Sequence, residues 1–221
     1  MPALVIDASL PAILTGILDD AEVPAWRACC VNEEPALEAV FSGVRTCLDE
    51  AGLDLAGIDR FVHCEGPGAT LGLRISAMAI RAWRALPEHR EKPLFTYRSL
   101  EAAARALELD GAAAPPFHLI TEYRQKQWHV LSVAPGGARE PITALGPGEL
   151  AGLPGTLYHL PARKAWHEPP GHAIKLSAHP LAQCPAAITG SFAPAQEANL
   201  FALEVPEYKT WTGERHRASA P

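Results

Sequence analysis

The sequence predicts a mixed α/β protein of two lobes, the first of which follows the order of a ribonuclease H-like domain. Three short apolar runs, bounded by Asp, Ser and Pro, come first and are typical of an antiparallel meander of strands. Amphipathic helical patterns then alternate with single apolar runs, which indicates parallel strands joined by crossover helices. An alanine- and proline-rich stretch at 112–116 separates this half from a second meander.

The elements of the first lobe are predicted from apolar periodicity and from helix ends. The strands are expected at 3–6, 12–18, 25–31, 60–64 and 94–97. The helices are expected at 34–51, at 71–86 and from Ser99 to about Gly111. Asn32 is expected to cap the first helix, Gly52 to end it, and Ser99 to cap the third. The predicted order is therefore βββαβαβα.

The second half is punctuated by Pro and Gly and is expected to form a smaller, strand-rich lobe. Strands are predicted at 117–123, 127–133 and 140–145, with weaker ones near 156–160 and 173–177 and a helix within 193–203. The predicted domains are a first lobe at 1–112, a reduced second lobe at 117–211 and a flexible tail at 212–221.

Composition excludes several classes of protein. Hydrophobic residues make up 48% and charged residues 20% of the 221 residues, a balance that excludes wholesale disorder. The formal net charge of −6 argues against generic nucleic-acid binding through a basic surface. The five cysteines are odd in number and contain no C-x-x-C, so neither a zinc site nor a secreted disulfide framework is expected. The absence of a signal peptide and of a long apolar run predicts a cytoplasmic protein without membrane association.

The most informative segment is GPGATLGLR at 66–74, between a predicted strand and a predicted helix. A glycine turn at a helix N-terminus presents free N–H groups, which suit an anion. The segment lacks the Gly-Lys-Ser/Thr ending of a Walker loop and the spacing of a dinucleotide-binding fingerprint. On physical grounds two interpretations stay open: an anion cradle, or a tight turn that lets the helix pack on the strand.

The same segment resembles the GPGSFTGLR signature of the TsaB family, also called YeaZ, through Gly66, Pro67, Gly68, Gly72 and Arg74. VIDAS at 5–9, TYRSLEAAA at 96–104 and VPEYKTW at 205–211 resemble further elements of that family. The chain departs from the signature at 69–71, where Ala-Thr-Leu stands in place of Ser-Phe-Thr. The resemblance implies an actin-like ATPase fold of two ribonuclease H-like lobes, the second reduced.

The resemblance also implies a function. The chain is expected to be a non-catalytic scaffold or activator that pairs with a TsaD-like protein, together with a TsaE-like ATPase, in threonylcarbamoyl modification of the tRNA adenosine next to the anticodon. It would contact tRNA only through the complex, have no intrinsic cofactor, and meet ATP or ADP with Mg at the partner interface. Asp7 stands where actin-like ATPases keep an acid that faces the nucleotide and its metal.

The expected interface consists of apolar residues of the first two helices, through which the chain alone would form a weak homodimer. The candidates are Leu37, Phe41, Leu71, Ile75, Met78 and Ala82. The alternatives are a small actin-like ATPase or kinase acting alone through Asp7 and the glycine turn, and a diverged stand-alone homodimer. No second phosphate loop follows residue 116, which argues against the ATPase.

A protease is not predicted. The segment HEPPGH at 167–172 has the wrong histidine spacing and two prolines that forbid the aligning helix of a zinc protease. No Gly-x-Ser-x-Gly elbow and no Cys–His arrangement stand out. No catalytic residue and no metal ligand set is therefore predicted.

Overall fold

The protein is described from a computed structural model, which describes residues 1–124, 126–162 and 168–203. The first lobe has the predicted βββαβαβα order. Its elements are β1 (Pro2–Asp7), β2 (Ile13–Asp19), β3 (Ala25–Asn32), α1 (Ala36–Ala51), β4 (Arg60–Gly66), α2 (Thr70–Arg84), β5 (Leu94–Arg98) and α3 (Ser99–Leu109). The strands β1, β2 and β3 pair antiparallel, whereas β1, β4 and β5 pair parallel, so the predicted meander and crossovers are confirmed.

The second half forms a five-stranded sheet and then returns to the first lobe. Its elements are β6 (Phe117–Arg124), β7 (Gln127–Val133), β8 (Thr143–Leu145), α4 (Pro147–Ala151), β9 (Thr156–His159), β10 (Ile174–Lys175), α5 (Pro185–Thr189) and β11 (Ala193–Ala195). The strand order in this sheet is β10-β9-β6-β7-β8. The strands β8 and β10 are shorter than the patterns predicted.

The prediction of a helix within 193–203 is wrong. Residues 193–195 form β11, which pairs antiparallel with β5 and makes the first sheet six-stranded, in the order β11-β5-β4-β1-β2-β3. The edge of β5 offers unpaired backbone groups, and satisfying them outweighs the helical pattern. Pro194 is tolerated because an edge strand does not need every N–H. The elements expected at 205–211 and 212–221 lie outside the described residues.

Two helix ends also differ from the predictions. The N-cap of α1 is Pro35, without a side-chain cap, and Asn32 instead accepts the N–H of Glu34 at 2.8 Å. Ser99 is the first residue of α3 rather than its cap. Its hydroxyl donates to the carbonyl oxygen of Pro67 at 2.6 Å, which ties α3 to the glycine turn. Both short polar side chains therefore secure neighbouring turns instead of capping helices.

The two faces of the first sheet carry different helices. Helices α1 and α2 pack side by side on one face, over a core that includes Ile6, Val40, Phe61 and Ile80. Helices α3 and α5 cover the other face. The right-handed crossovers thus place α1 and α2 together, as expected from their positions in the chain.

The lobes share a third apolar core. Leu100 and Leu107 of α3 pack with Phe117, Leu119 and Leu131 of the second sheet, and all five side chains are at least nine-tenths buried. This shared core fixes the position of the cleft between the lobes. Within the described ranges, no helix has the length and apolar character needed to cross a membrane.

Candidate functional site

The glycine turn lies where the end of β4 meets the start of α2 and the turn after β1. A Cβ on Gly68 would lie less than 3 Å from the carbonyl oxygen of Ser9. A Cβ on Gly72 would also lie less than 3 Å from the carbonyl oxygen of Ala8. The N–H of Ala69 donates to the same Ser9 oxygen at 2.7 Å. Gly66 has φ +99°, in the region that favours glycine. The glycines therefore let the first turn of α2 pack directly on backbone, which is the second of the two interpretations left open by the sequence.

Asp7, at the end of β1, is 1% exposed and uses both carboxylate oxygens within the chain. Oδ1 accepts the N–H of Ser9 at 2.9 Å and its hydroxyl at 2.5 Å. Oδ2 accepts the hydroxyl of Tyr97 at 2.8 Å. Burial, together with the Asp7 charge, raises the pKa of Tyr97 well above its ordinary value, so the phenol remains a donor.

His179 also approaches this carboxylate. The sequence gives no sign of this contact, because 172 positions of chain separate the two residues. Its Nε2 lies 3.9 Å from Oδ2 of Asp7, and both side chains are 1% exposed. Burial lowers the pKa of His179, and the carboxylate opposes part of that shift. The segment before α5 therefore lies over the end of β1.

These contacts test whether Asp7 fits a magnesium ion and its nucleotide. A metal ion at Asp7 would have to reach a carboxylate that is 1% exposed and already accepts three hydrogen bonds from Ser9 and Tyr97. Among the described residues, no group of three or more His, Cys, Asp or Glu side chains is placed to hold a metal ion. The described residues around Asp7 therefore do not form a magnesium site by themselves.

A cleft of about 690 Å³ lies between the two lobes, beside the glycine turn. Residues 8–11 and 68–72 form the wall from the first lobe, and residues 121–124 form the opposite wall. The first turn of α2 has no side-chain cap at this wall. Across the cleft the guanidinium of Arg124 lies 4.6 Å from the ring centre of Tyr123. Arg74, the last residue of the signature, is exposed on α2.

The outer surface of α1 and α2 carries a second apolar stripe, which we call the ridge. It consists of Leu37, Phe41, Leu71, Ile75, Met78 and Ala82. Leu71 is 70%, Met78 61%, Leu37 55% and Phe41 46% exposed. Ala82 is exposed and Ile75 half-buried. Five of the six candidates are therefore exposed on two adjacent helices, and Ile75 packs partly against the core.

The buried stripe of α2 is a different one. It consists of Gly72, Leu73, Ser76, Ala77, Ala79 and Ile80. Ala79, for example, is buried, whereas Leu71 is exposed. Helix α2 thus presents small residues to the sheet and large apolar residues outward.

Trp83 holds the two helices of the ridge together. The ring of Phe41 meets Trp83 edge-on, with ring centres 5.9 Å apart, and Trp83 in turn stacks on Phe61 at 6.4 Å. Such aromatic contacts add to the area that they bury. The stack anchors one exposed residue of the ridge to the core beneath it.

Comparisons with known proteins give the fold. The sequence matches no protein-family model, and no curated protein matches it. Among solved structures, the chain is similar to YeaZ from Pseudomonas aeruginosa, with a TM-score of 0.63, 20% identity, and coverage of 91% of this chain and 99% of that one. It is equally similar to an uncharacterized protein with similarity to peptidase YeaZ from Pseudomonas aeruginosa, with a TM-score of 0.63, 19% identity, and coverage of 92% and 99%. The chain therefore has a YeaZ-like fold, consistent with the predicted actin-like, ribonuclease H-like class.

Proposed function

We propose that the chain is a member of the TsaB (YeaZ) family and acts as a non-catalytic scaffold for a TsaD-like protein. In this role it supports threonylcarbamoyl modification of the tRNA adenosine next to the anticodon. The YeaZ-like fold and the signature at 66–74 support the family. The observation that carries the scaffold role is the ridge, because five of its six apolar side chains are exposed although they could be buried against a partner.

The ridge has the chemistry of a docking surface. Of the ten large hydrophobic residues that are exposed in the described part of the chain, four belong to the ridge: Leu37, Phe41, Leu71 and Met78. Fully burying one such side chain contributes about 1.5–3 kcal/mol. Two adjacent helices with an apolar outer stripe can meet the corresponding pair of a homologous chain and form a four-helix interface. The isolated chain therefore forms a weak homodimer through the ridge, and the partner competes for the same surface.

The site around Asp7 favours a non-catalytic role for the chain. Its carboxylate is buried and already accepts hydrogen bonds from Ser9 and Tyr97, so a nucleotide with Mg at the partner interface takes its metal ligands from the partner. Contact with tRNA also occurs through the complex, since the chain carries a formal net charge of −6. A TsaE-like ATPase supplies ATP hydrolysis to the same assembly.

The test is association of the purified chain with itself and with the TsaD-like protein of the same host, measured by analytical ultracentrifugation. Met78→Glu places a carboxylate at the centre of the ridge. Burying that unpaired charge at a contact costs about 3–5 kcal/mol, which weakens association by at least about 100-fold.

Leu109→Glu is the matched control, because Leu109 is 54% exposed on α3, on the other face of the sheet. We expect this variant to associate like the wild type. If Met78→Glu associates unchanged both alone and with the partner, the scaffold role proposed here is wrong. If both variants lose association equally, the loss reflects added charge rather than the ridge, and the proposal also fails.

A further inference from the structure

We propose that residues 196–201, which we call the strap, hold α2 in place and thereby position the ridge. Arg81 and Arg84 are the positioning residues of α2 in this arrangement. The consequence for partner binding rests on the proposed function; the positioning of α2 does not.

Polar contacts join the strap to the C-terminal half of α2. Arg81 donates from Nη2 to Oδ1 of Asn199 at 2.7 Å, and a carboxylate oxygen of Glu197 lies 3.9 Å from the same nitrogen. Arg84 donates from Nη1 to the carbonyl oxygen of Gln196 at 2.8 Å. Two successive turns of the helix are thus tied to one extended segment by charge-assisted hydrogen bonds, which are stronger than neutral ones.

The strap is itself anchored to the first lobe. Ala198 is 0% exposed and belongs to the same core as Ile80, and Leu200 packs against the cores on both faces of the sheet. The N–H of Phe201 donates to the carbonyl oxygen of Glu65, near the end of β4, at 2.9 Å. Just before it, β11 pairs with β5. Its own packing and hydrogen bonds therefore hold the strap against the first lobe.

The far end of the strap reaches the second lobe. The ring centre of Phe201 lies 4.9 Å from the guanidinium of Arg98 and 5.8 Å from the ring of His129 on β7. His129 in turn lies 4.3 Å from the ring of Tyr123, which lines the cleft. The strap thus connects α2 with both lobes.

Helix α2 gains from such a support because most of the side chains that it buries fully are small. Four of its six fully buried residues are Gly, Ser or Ala, and its large apolar contacts come from Leu73 and Ile80 and from the half-buried Ile75 and Trp83. Small side chains bury little apolar area and hold a helix weakly. A helix that is fixed before binding loses less conformational freedom when a partner docks, so fixing α2 raises the affinity of the ridge.

Hydrogen exchange tests the strap in the full chain, with a matched pair of substitutions. Ala198→Asp puts a charge into the buried position of the strap, whereas Ala193→Asp makes the same change at an exposed position of β11. For Ala198→Asp we expect amide exchange in α2 to rise by about tenfold or more, with α3 unchanged. For Ala193→Asp we expect the wild-type pattern in both helices. Unchanged exchange of α2 in Ala198→Asp overturns the proposal.

A milder variant covers the case in which Ala198→Asp raises exchange throughout the chain. Asn199→Ala combined with Arg84→Met removes two ties and adds no buried charge. Raised exchange confined to α2 supports the strap, and an unchanged or a uniform pattern overturns it.

Binding of the TsaD-like protein separates the two proposals. If the wild type binds and the double variant binds about tenfold more weakly, both proposals are supported. If the wild type does not bind, the proposed function fails, whereas the exchange of α2 in the isolated chain still decides the role of the strap.

Discussion

Replacing Gly72 by Ala tests whether the glycines of the signature serve backbone packing. In most helices this change is favourable, because alanine is about 0.8–1.0 kcal/mol better than glycine in a helix interior. In α2 the added Cβ would lie less than 3 Å from the carbonyl oxygen of Ala8 and 3.2 Å from the Cβ of Ala8. Neither atom can rotate away, because Ala8 is fully buried at the end of β1.

The expected size of the effect follows from these two opposing contributions. Forcing an extra methyl group into a packed contact costs about 1–3 kcal/mol. The gain in helix propensity offsets up to about 1 kcal/mol of this cost. The net expectation is a loss of up to about 2 kcal/mol in the free energy of unfolding, whereas the same substitution without the clash would gain up to about 1 kcal/mol.

Urea denaturation followed by tryptophan fluorescence measures this loss. With a slope of about 3 kcal/mol/M, the midpoint should fall by up to roughly 0.7 M. Gly148→Ala is the matched control, because a Cβ on that helical glycine of α4 would meet nothing within 4 Å. The control should match or slightly exceed the stability of the wild type. A Gly72→Ala protein as stable as the control would refute the packing explanation and return the glycines to an anion cradle.

Three further outcomes are expected. Tyr97→Phe should lower the free energy of unfolding by about 1–3 kcal/mol, because Oδ2 of the buried Asp7 loses its hydroxyl donor. The urea midpoints of the variant and the wild type measure this loss, and an unchanged midpoint would contradict it. The free energy of unfolding should fall as the pH is lowered from about 6.5 towards 4. The reason is that burial lowers the pKa of His63 and His129 to about 4 in the folded chain, so the unfolded chain binds more protons in this window. His63→Gln should therefore flatten the pH dependence of the urea midpoint. The pure chain should hydrolyse ATP only at background rate; substantial turnover that Asp7→Ala abolishes would favour the ATPase interpretation over the scaffold.

The order of strands and helices could be read from the sequence because each early element carries a complete local pattern. The meander from β1 to β3 and the crossovers through α1 and α2 depend on periodicity and end signals that neighbouring residues supply. The strand β11 could not be found in this way. Its conformation is decided by the free edge of β5, about a hundred residues earlier in the chain, and no local pattern describes that edge.

The candidate site, too, could be predicted from the sequence only where local patterns describe it. The apolar periodicity of α1 and α2 found the residues of the ridge, but it could not tell which of the two apolar stripes of α2 faces the sheet. Leu71 and Met78 look like core residues in a sequence, but α2 packs on the sheet mainly through small residues, among them Gly72 against Ala8, and leaves both side chains exposed. His179 and the strap were missed for another reason: they act through contacts between segments that are far apart in the chain.

The core shared by the two lobes bears on how the molecule unfolds. Leu100 and Leu107 of the first lobe are buried by Phe117 and Leu119 of the second. Separating the lobes would expose that whole apolar surface to water, which couples the unfolding of one lobe to that of the other. Heat should therefore melt the protein in one cooperative transition, and a fragment cut at the alanine- and proline-rich stretch would aggregate through the bare face of α3.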